Sequence, residues 1–193
     1  MKPISLNELF KQKIFRIPDY QRGYAWQTKQ CKDFWEDIIN LNEDRCHYTV
    51  LSLKEISAKE VLETDNEYWL VEDHSYKIYD IVDGQQRLTT CTIFLQSLVE
   101  VIKELPENQK KDEEIYITDS LHLKSIIDVF LYKQKPNGNY RTYKFGYNTD
   151  NPSYEYMRFN ILENNPTVNE TFYTLNLKNA KIYFKSEIEA LYK

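Results

Sequence analysis

Apolar residues along the chain repeat at two different periods, and each change of period marks a change of element. Starting at Thr28, residues Cys31, Phe34, Trp35, Ile38, Ile39 and Leu41 recur at mostly helical spacings, which predicts a helix with one buried face. Thr28 is placed to cap it. A longer series follows: Leu88, Cys91, Leu95, Leu98, Val99, Ile102 and Leu105, a helix stopped by Pro106. Between the two helices the period falls to two. Residues 47–56 alternate Tyr48, Val50 or Leu51, and Leu53 with polar positions, and so predict a strand. Segments 67–72 and 77–82 predict two more strands, joined as a hairpin or near-hairpin by Asp73-His74-Ser75. Nearer the N-terminus, residues 4–10 predict a short helix capped by Ser5. Phe15-Arg16-Ile17 then predicts a brief strand ended by Pro18.

The charged stretch 106–114 (PENQKKDEE) has no apolar period, and it divides the chain into 1–105 and 106–193. The second part predicts a helix over 121–133, a turn at Pro136-Asn137-Gly138-Asn139 and an alternating Tyr143, Phe145, Tyr147 segment. Two further helices are expected over 153–163 and 169–192. The resulting fold class is α+β: a small mixed sheet, the long helix packed on it, and a mostly helical extension.

Composition narrows the setting. A length of 193 residues suits one domain, or a domain with a helical annex. The net charge of −5 argues against a surface coated for nucleic acid but leaves room for a local basic groove. Cys31, Cys46 and Cys91 are widely spaced with no C-x-x-C, so free thiols in a reducing cytoplasm are expected rather than disulfides or zinc. His47, His74 and His122 lie far apart, and no metal site is expected from them. The opening MKPISLNELF lacks the apolar core of a signal peptide, and no apolar run approaches the roughly 18 residues of a membrane span. The expectation is a cytoplasmic protein with no membrane partner.

Two constellations carry candidate chemistry. The strand ending in Ile81-Val82 runs into Asp83-Gly84-Gln85-Gln86-Arg87-Leu88-Thr89-Thr90, a strand-to-helix turn. Two readings of it stand. In one, Asp83 and Gln86 form a capping box, and Arg87 pairs with Asp37 or Asp80. In the other, the polar groups of Gln85, Gln86, Arg87, Thr89 and Thr90 crowd a helix start that holds an anion. The second constellation is Ile17-Pro18-Asp19-Tyr20-Gln21-Arg22-Gly23-Tyr24-Ala25-Trp26. If extended, it puts Tyr20, Arg22, Tyr24 and Trp26 on one face, suited to a base or a phosphate. The other reading is a buried aromatic ladder with a snorkelling arginine. No P-loop occurs, and four glycines are too few for a glycine-rich phosphate cradle.

The pair of boxes, I-P-x-Y-Q-R-x-Y-x-W and, about sixty residues later, D-G-Q-Q-R-L-T-T, resembles the N-terminal domain of the GmrSD-type restriction family. That domain is related to the ParB/Srx-like fold and to the SspE restriction proteins. The resemblance is strongest over residues 16–42 and 76–103. It extends to Asp150-Asn151-Pro152-Ser153-Tyr154 and to the segment from Asn179 to Ile188. It implies an NTP-binding and NTP-hydrolysing domain that governs restriction of invading, often modified, phage DNA. The implied nucleotide site is Asp83, Gly84, Gln85, Gln86 and Arg87, with Tyr20, Gln21 and Arg22 lining the same cleft and Thr89 nearby. Arg87 would neutralise phosphate, Gln85 or Gln86 would orient an oxygen or water, and Asp83 would hold Mg2+ or activate water. The sequence departs from the family at His47-Tyr48-Thr49-Val50-Leu51, where a glycine is common. It also lacks a His-Asn-His nuclease site, so the implied partners are a nucleotide, DNA, and a nuclease domain or subunit outside this chain. A different class of function also stays open: a non-enzymatic DNA-binding or modification-sensing module using the same cleft.

Overall fold

A computed structural model describes residues 3–41, 48–57, 59–60, 68–72, 75–108, 111–136 and 140–192. The first half runs α1 (Leu6–Phe10), β1 (Lys13–Ile17), α2 (Thr28–Ile39), β2 (Ser52–Ile56), α3 (Trp69–Glu72), β3 (Lys77–Asp83) and α4 (Gln85–Glu104). The second half runs β4 (Tyr116–Thr118), β5 (Leu121–His122), α5 (Leu123–Ile126), β6 (Tyr132–Gln134), β7 (Arg141–Tyr143), β8 (Phe145–Tyr147) and α6 (Leu175–Ala190). It also holds two short 3-10 helices, Pro106–Asn108 and Asp112–Glu114, and two π-helical segments, Ile127–Leu131 and Tyr156–Leu162. The fold is α+β, as the sequence pattern predicts.

The main sheet has the order β2-β3-β1-β8. β1 pairs in parallel with both β3 and β8, and β2 pairs antiparallel with β3. Alternation along β1 sorts its side chains between the two faces. Phe15 and Ile17 point into the main core beside Ile81, Phe145 and Leu88. Ile14 points the other way, into a smaller cluster with Tyr68, Val71 and Ile78. α4 covers the main-core face, and α6 packs along α4. Phe34, Phe94 and Phe184, from α2, α4 and α6, meet edge to face with centroids 5.8–6.2 Å apart. That geometry suits the aromatic quadrupole.

Several sequence expectations hold. Ser5 caps α1 with a full capping box: the Glu8 N–H donates to Ser5 Oγ at 3.1 Å, and the Ser5 N–H to Glu8 Oε2 at 3.0 Å. The helix before Pro106 is the longest element, as its period demands. Others need correction. Gln27, not Thr28, occupies the N-cap of α2, and Ile39 and Leu41 are exposed rather than buried. The segment expected as a strand up to residue 72 ends in α3, where Leu70 and Val71 are both buried and Val71 packs with Ile14 and Ile78. The hairpin therefore does not form, and β3 takes β2 and β1 as partners. The turn residues Asp73 and His74, like Cys46, His47 and 137–139, lie outside the described residues. The helix expected over 121–133 is broken into β5, α5, a π-helical segment and the start of β6. The Tyr143-to-Tyr147 strand divides at Lys144 between β7 and β8, which belong to different sheets.

Candidate functional site

The two constellations meet in space, and amide side chains join them. Gln86 is buried at the start of α4. Its Oε1 accepts the Ala25 N–H at 2.7 Å, and its Nε2 donates to the Gly23 carbonyl at 3.1 Å. Gln85 Nε2 donates to Gln21 Oε1 at 3.0 Å, while Gln21 Nε2 donates to the Val82 carbonyl at 3.1 Å. The Tyr24 and Thr90 hydroxyls lie 2.6 Å apart. Burial pushes the Tyr24 hydroxyl far above its ordinary pKa, so it stays protonated at neutral pH. Thr89 and Thr90 each bond back to the carbonyl four residues earlier. Four of the polar groups crowded at this helix start are thus occupied within the protein.

The capping box expected from Asp83 and Gln86 does not form. Gly84 is the N-cap, in the left-handed region at φ 92°, and no side chain caps the helix. A Cβ at this position would lie 2.3 Å from Leu51 Cδ2, so both the backbone angle and the close approach of Leu51 select glycine. Asp83 is exposed, and its Oδ1 accepts the Gly84 N–H at 2.8 Å. The first turn of α4 carries no acidic residue, so its N–H dipoles meet no carboxylate from their own helix.

The 17–26 segment is not extended. It is a turn and a loop, opened by a Gln21 N–H bond to the Pro18 carbonyl at 3.2 Å. Tyr24 turns inward at 3% exposure while Tyr20 stays out at 69%, so the four expected residues do not share a face. Arg22 is exposed beside Tyr20. Arg87 lies elsewhere on the site, in a cleft of about 190 Å³ lined by Trp26, Gln30, Asp33, Phe34, Asp37 and Arg87. The lining of that cleft brings Arg87 to Trp26, not to Tyr20, Gln21 or Arg22. Arg87 donates to Thr49 Oγ1 at 2.8 Å, and no carboxylate pairs with it among the described residues. The expected salt bridge to Asp37 or Asp80 is therefore absent there. Trp26 and Phe34 meet edge to face at 6.5 Å and form the aromatic wall.

Sequence reasoning missed several supports. Asn151 Nδ2 donates to the Pro18 carbonyl at 3.2 Å, and Asn176 Nδ2 to the Tyr24 carbonyl at 3.3 Å, so distant residues pin the loop at both ends. Asp37 was expected only as a salt-bridge partner of Arg87 and Asp33 not at all, although their spacing of four puts both carboxylates on one helix face.

A family profile described as the GmrSD restriction endonuclease, N-terminal domain, matches residues 6–192. The chain belongs to this family. Its place is accordingly in a restriction system, a defence against phage, and membership implies DNA and a nuclease domain in the full protein. No curated protein matches the chain. Among the described residues of this GmrSD-type domain, no helix is long and apolar enough to cross a membrane. Nor do three or more His, Cys, Asp or Glu gather there into a metal-binding group.

Proposed function

We propose that this GmrSD-type domain binds a nucleoside triphosphate in the cleft between α2 and the start of α4, and that hydrolysis of the nucleotide licenses a nuclease. One observation carries the reading. Arg87 stands at an uncapped helix start, beside an aromatic wall, with no carboxylate partner among the described residues. A phosphate there gains both the guanidinium and the helix dipole, and Trp26 offers an edge or face to the base. Asp33 and Asp37 would hold Mg2+, which would neutralise phosphate charge there. In this reading Gln85, Gln86 and Thr89 position the site, and Asp83 is the exposed carboxylate left to act on water. The ParB/Srx-like kinship belongs to the same proposal.

Titration with ATP, GTP, CTP and UTP, with and without Mg2+, tests it through tryptophan fluorescence. Saturable binding is expected, weakened at least about tenfold (about 1.4 kcal/mol) by Arg87→Ala. The melting temperature should hardly move, because Arg87 is exposed. Binding of duplex DNA with steep salt dependence and no nucleotide response would instead favour the DNA-sensing module. A lower melting temperature with unchanged ligand binding would make Arg87 a structural residue.

A further inference from the structure

Away from the Arg87 cleft, a second cleft of about 140 Å³ opens where the end of α1 meets the π-helical segment Ile127–Leu131 and β6. Its lining includes Lys11, Gln12, Tyr76, Asp128, Lys133 and Lys144. That space is several times what one water needs. Lys144 is buried and forms the floor, whereas Lys11 and Gln12 are exposed and form the rim. Gln12 has a φ of 52°, a left-handed backbone that residues other than glycine rarely adopt, and this turn sets the rim.

The Lys144 backbone is fixed on both sides. Its N–H donates to the Leu131 carbonyl and its own carbonyl accepts the Phe15 N–H, each at 2.8 Å. An ammonium has three N–H donors. One goes to the Phe10 carbonyl at 3.0 Å, with the Tyr76 ring centre 4.1 Å from Nζ, and among the described residues no carboxylate pairs with it. The carboxylate of the lining, Asp128, is already shared between Lys124 and Lys133, the latter at 3.4 Å. Three lysines thus line a cleft whose acid is spoken for. Burial, with repulsion from Lys133 and from Lys13 on β1 against the pull of Asp128, lowers the Lys144 pKa to about 7. Tyr76, raised by burial and by Asp128, stays neutral over the same range. Without an anion this amine tends to shed its proton; an anion at its side would hold the proton on.

We propose that this cleft binds a small oxyanion of phosphate size, held between Lys11 and Lys133 at the rim and over Lys144 at the floor. Lys144 takes up a proton as the anion enters, so binding and protonation are coupled. The site is separate from the nucleotide cleft, since none of its residues lines that cleft.

Sulfate is the suitable probe, because it stays dianionic where phosphate itself titrates. Calorimetry at constant ionic strength, in two buffers of different ionisation enthalpy, tests the proposal on the unmodified domain and on Arg87→Ala. Both should bind sulfate saturably at pH 8 with uptake of about one proton, and affinity should fall up to about tenfold per pH unit above pH 7. Lys144→Met should abolish the uptake and the pH dependence, and Lys133→Gln should weaken affinity at least about tenfold. No saturable binding, binding without proton uptake, uptake that survives Lys144→Met, or binding lost in Arg87→Ala overturns the site. If Lys144→Met does not fold, Lys133→Gln decides: an undiminished affinity rejects the proposal.

Discussion

Gln86 shows how one buried side chain can hold two elements of a site together. Its amide meets an N–H and a carbonyl of the loop that carries Trp26, so it fixes that wall relative to Arg87. Gln86→Ala removes both bonds and leaves part-buried backbone groups without partners, at a cost of about 2–3 kcal/mol. We expect a lower urea midpoint together with weaker nucleotide binding in the fluorescence titration. Arg87→Ala should separate these two effects by changing only the second. At this scale the sequence revealed which residues cluster, but not what each one does. Gln85, Gln86, Thr89 and Thr90 read as ligand groups because a sequence shows polar side chains without their partners. The partners of Gln85 and Gln86 lie about sixty residues away, in the Gln21-to-Ala25 loop, and no local pattern records them, while Thr89 and Thr90 bond back within their own helix.

At the scale of elements, legibility followed the strength of the period. α4, with seven apolar positions in register, was readable in both type and end. α3 was not, because Trp69-Leu70-Val71 in a short window fits a strand as well as a helical turn. The π-helical segments were also hidden, since their backbone spacing departs from the helical template. The α4–α6 packing was invisible for a different reason: two amphipathic helices do not declare which of their neighbours they will meet. That contact rests on Phe184, fully buried between Phe34 and Phe94. It is reinforced by Lys181, whose Nζ pairs with Glu100 at 3.0 Å and donates to the Asn160 and Ile161 carbonyls. Phe184→Ala should cost about 3–5 kcal/mol. The denaturant midpoint should fall with an unchanged slope if the whole fold still unfolds as one unit.

At the scale of the whole molecule, stability depends on a lysine that the fold buries between two sheets. Lys144 joins β7 to β8 and is 1% exposed. Its Nζ donates to the Phe10 carbonyl at the end of α1 at 3.0 Å and lies 4.1 Å from the centre of the Tyr76 ring. Burial, with Lys133 and Lys13 adding repulsion and Asp128 opposing it, lowers its pKa from 10.5 to about 7. Between those values the unfolded chain holds more protons than the folded one, so stability rises with pH across that window. The penalty is complete below about pH 7. Buried Tyr24, Tyr143 and Tyr147 are shifted upward, and the stability they contribute is lost above about pH 10. The urea midpoint should therefore climb between pH 7 and 9.5, the unfolding free energy rising by up to about 1.4 kcal/mol per pH unit from Lys144. Lys144→Met should flatten most of that climb. Lys181, lowered by burial against the pull of Glu100, contributes the remainder in the same direction.

The order β2-β3-β1-β8 also has a consequence during synthesis. β1 ends at Ile17, yet one of its two neighbours begins only at Phe145. At a ribosomal rate of about 5–20 residues per second, the nascent chain waits roughly 6–25 s with its central strand open along one edge. During that interval Phe15 and Ile17 offer a hydrogen-bonding edge to any other newly made chain. The last-made parts of this domain shield the first, and its yield in a crowded cell should depend on chaperones that hold that edge.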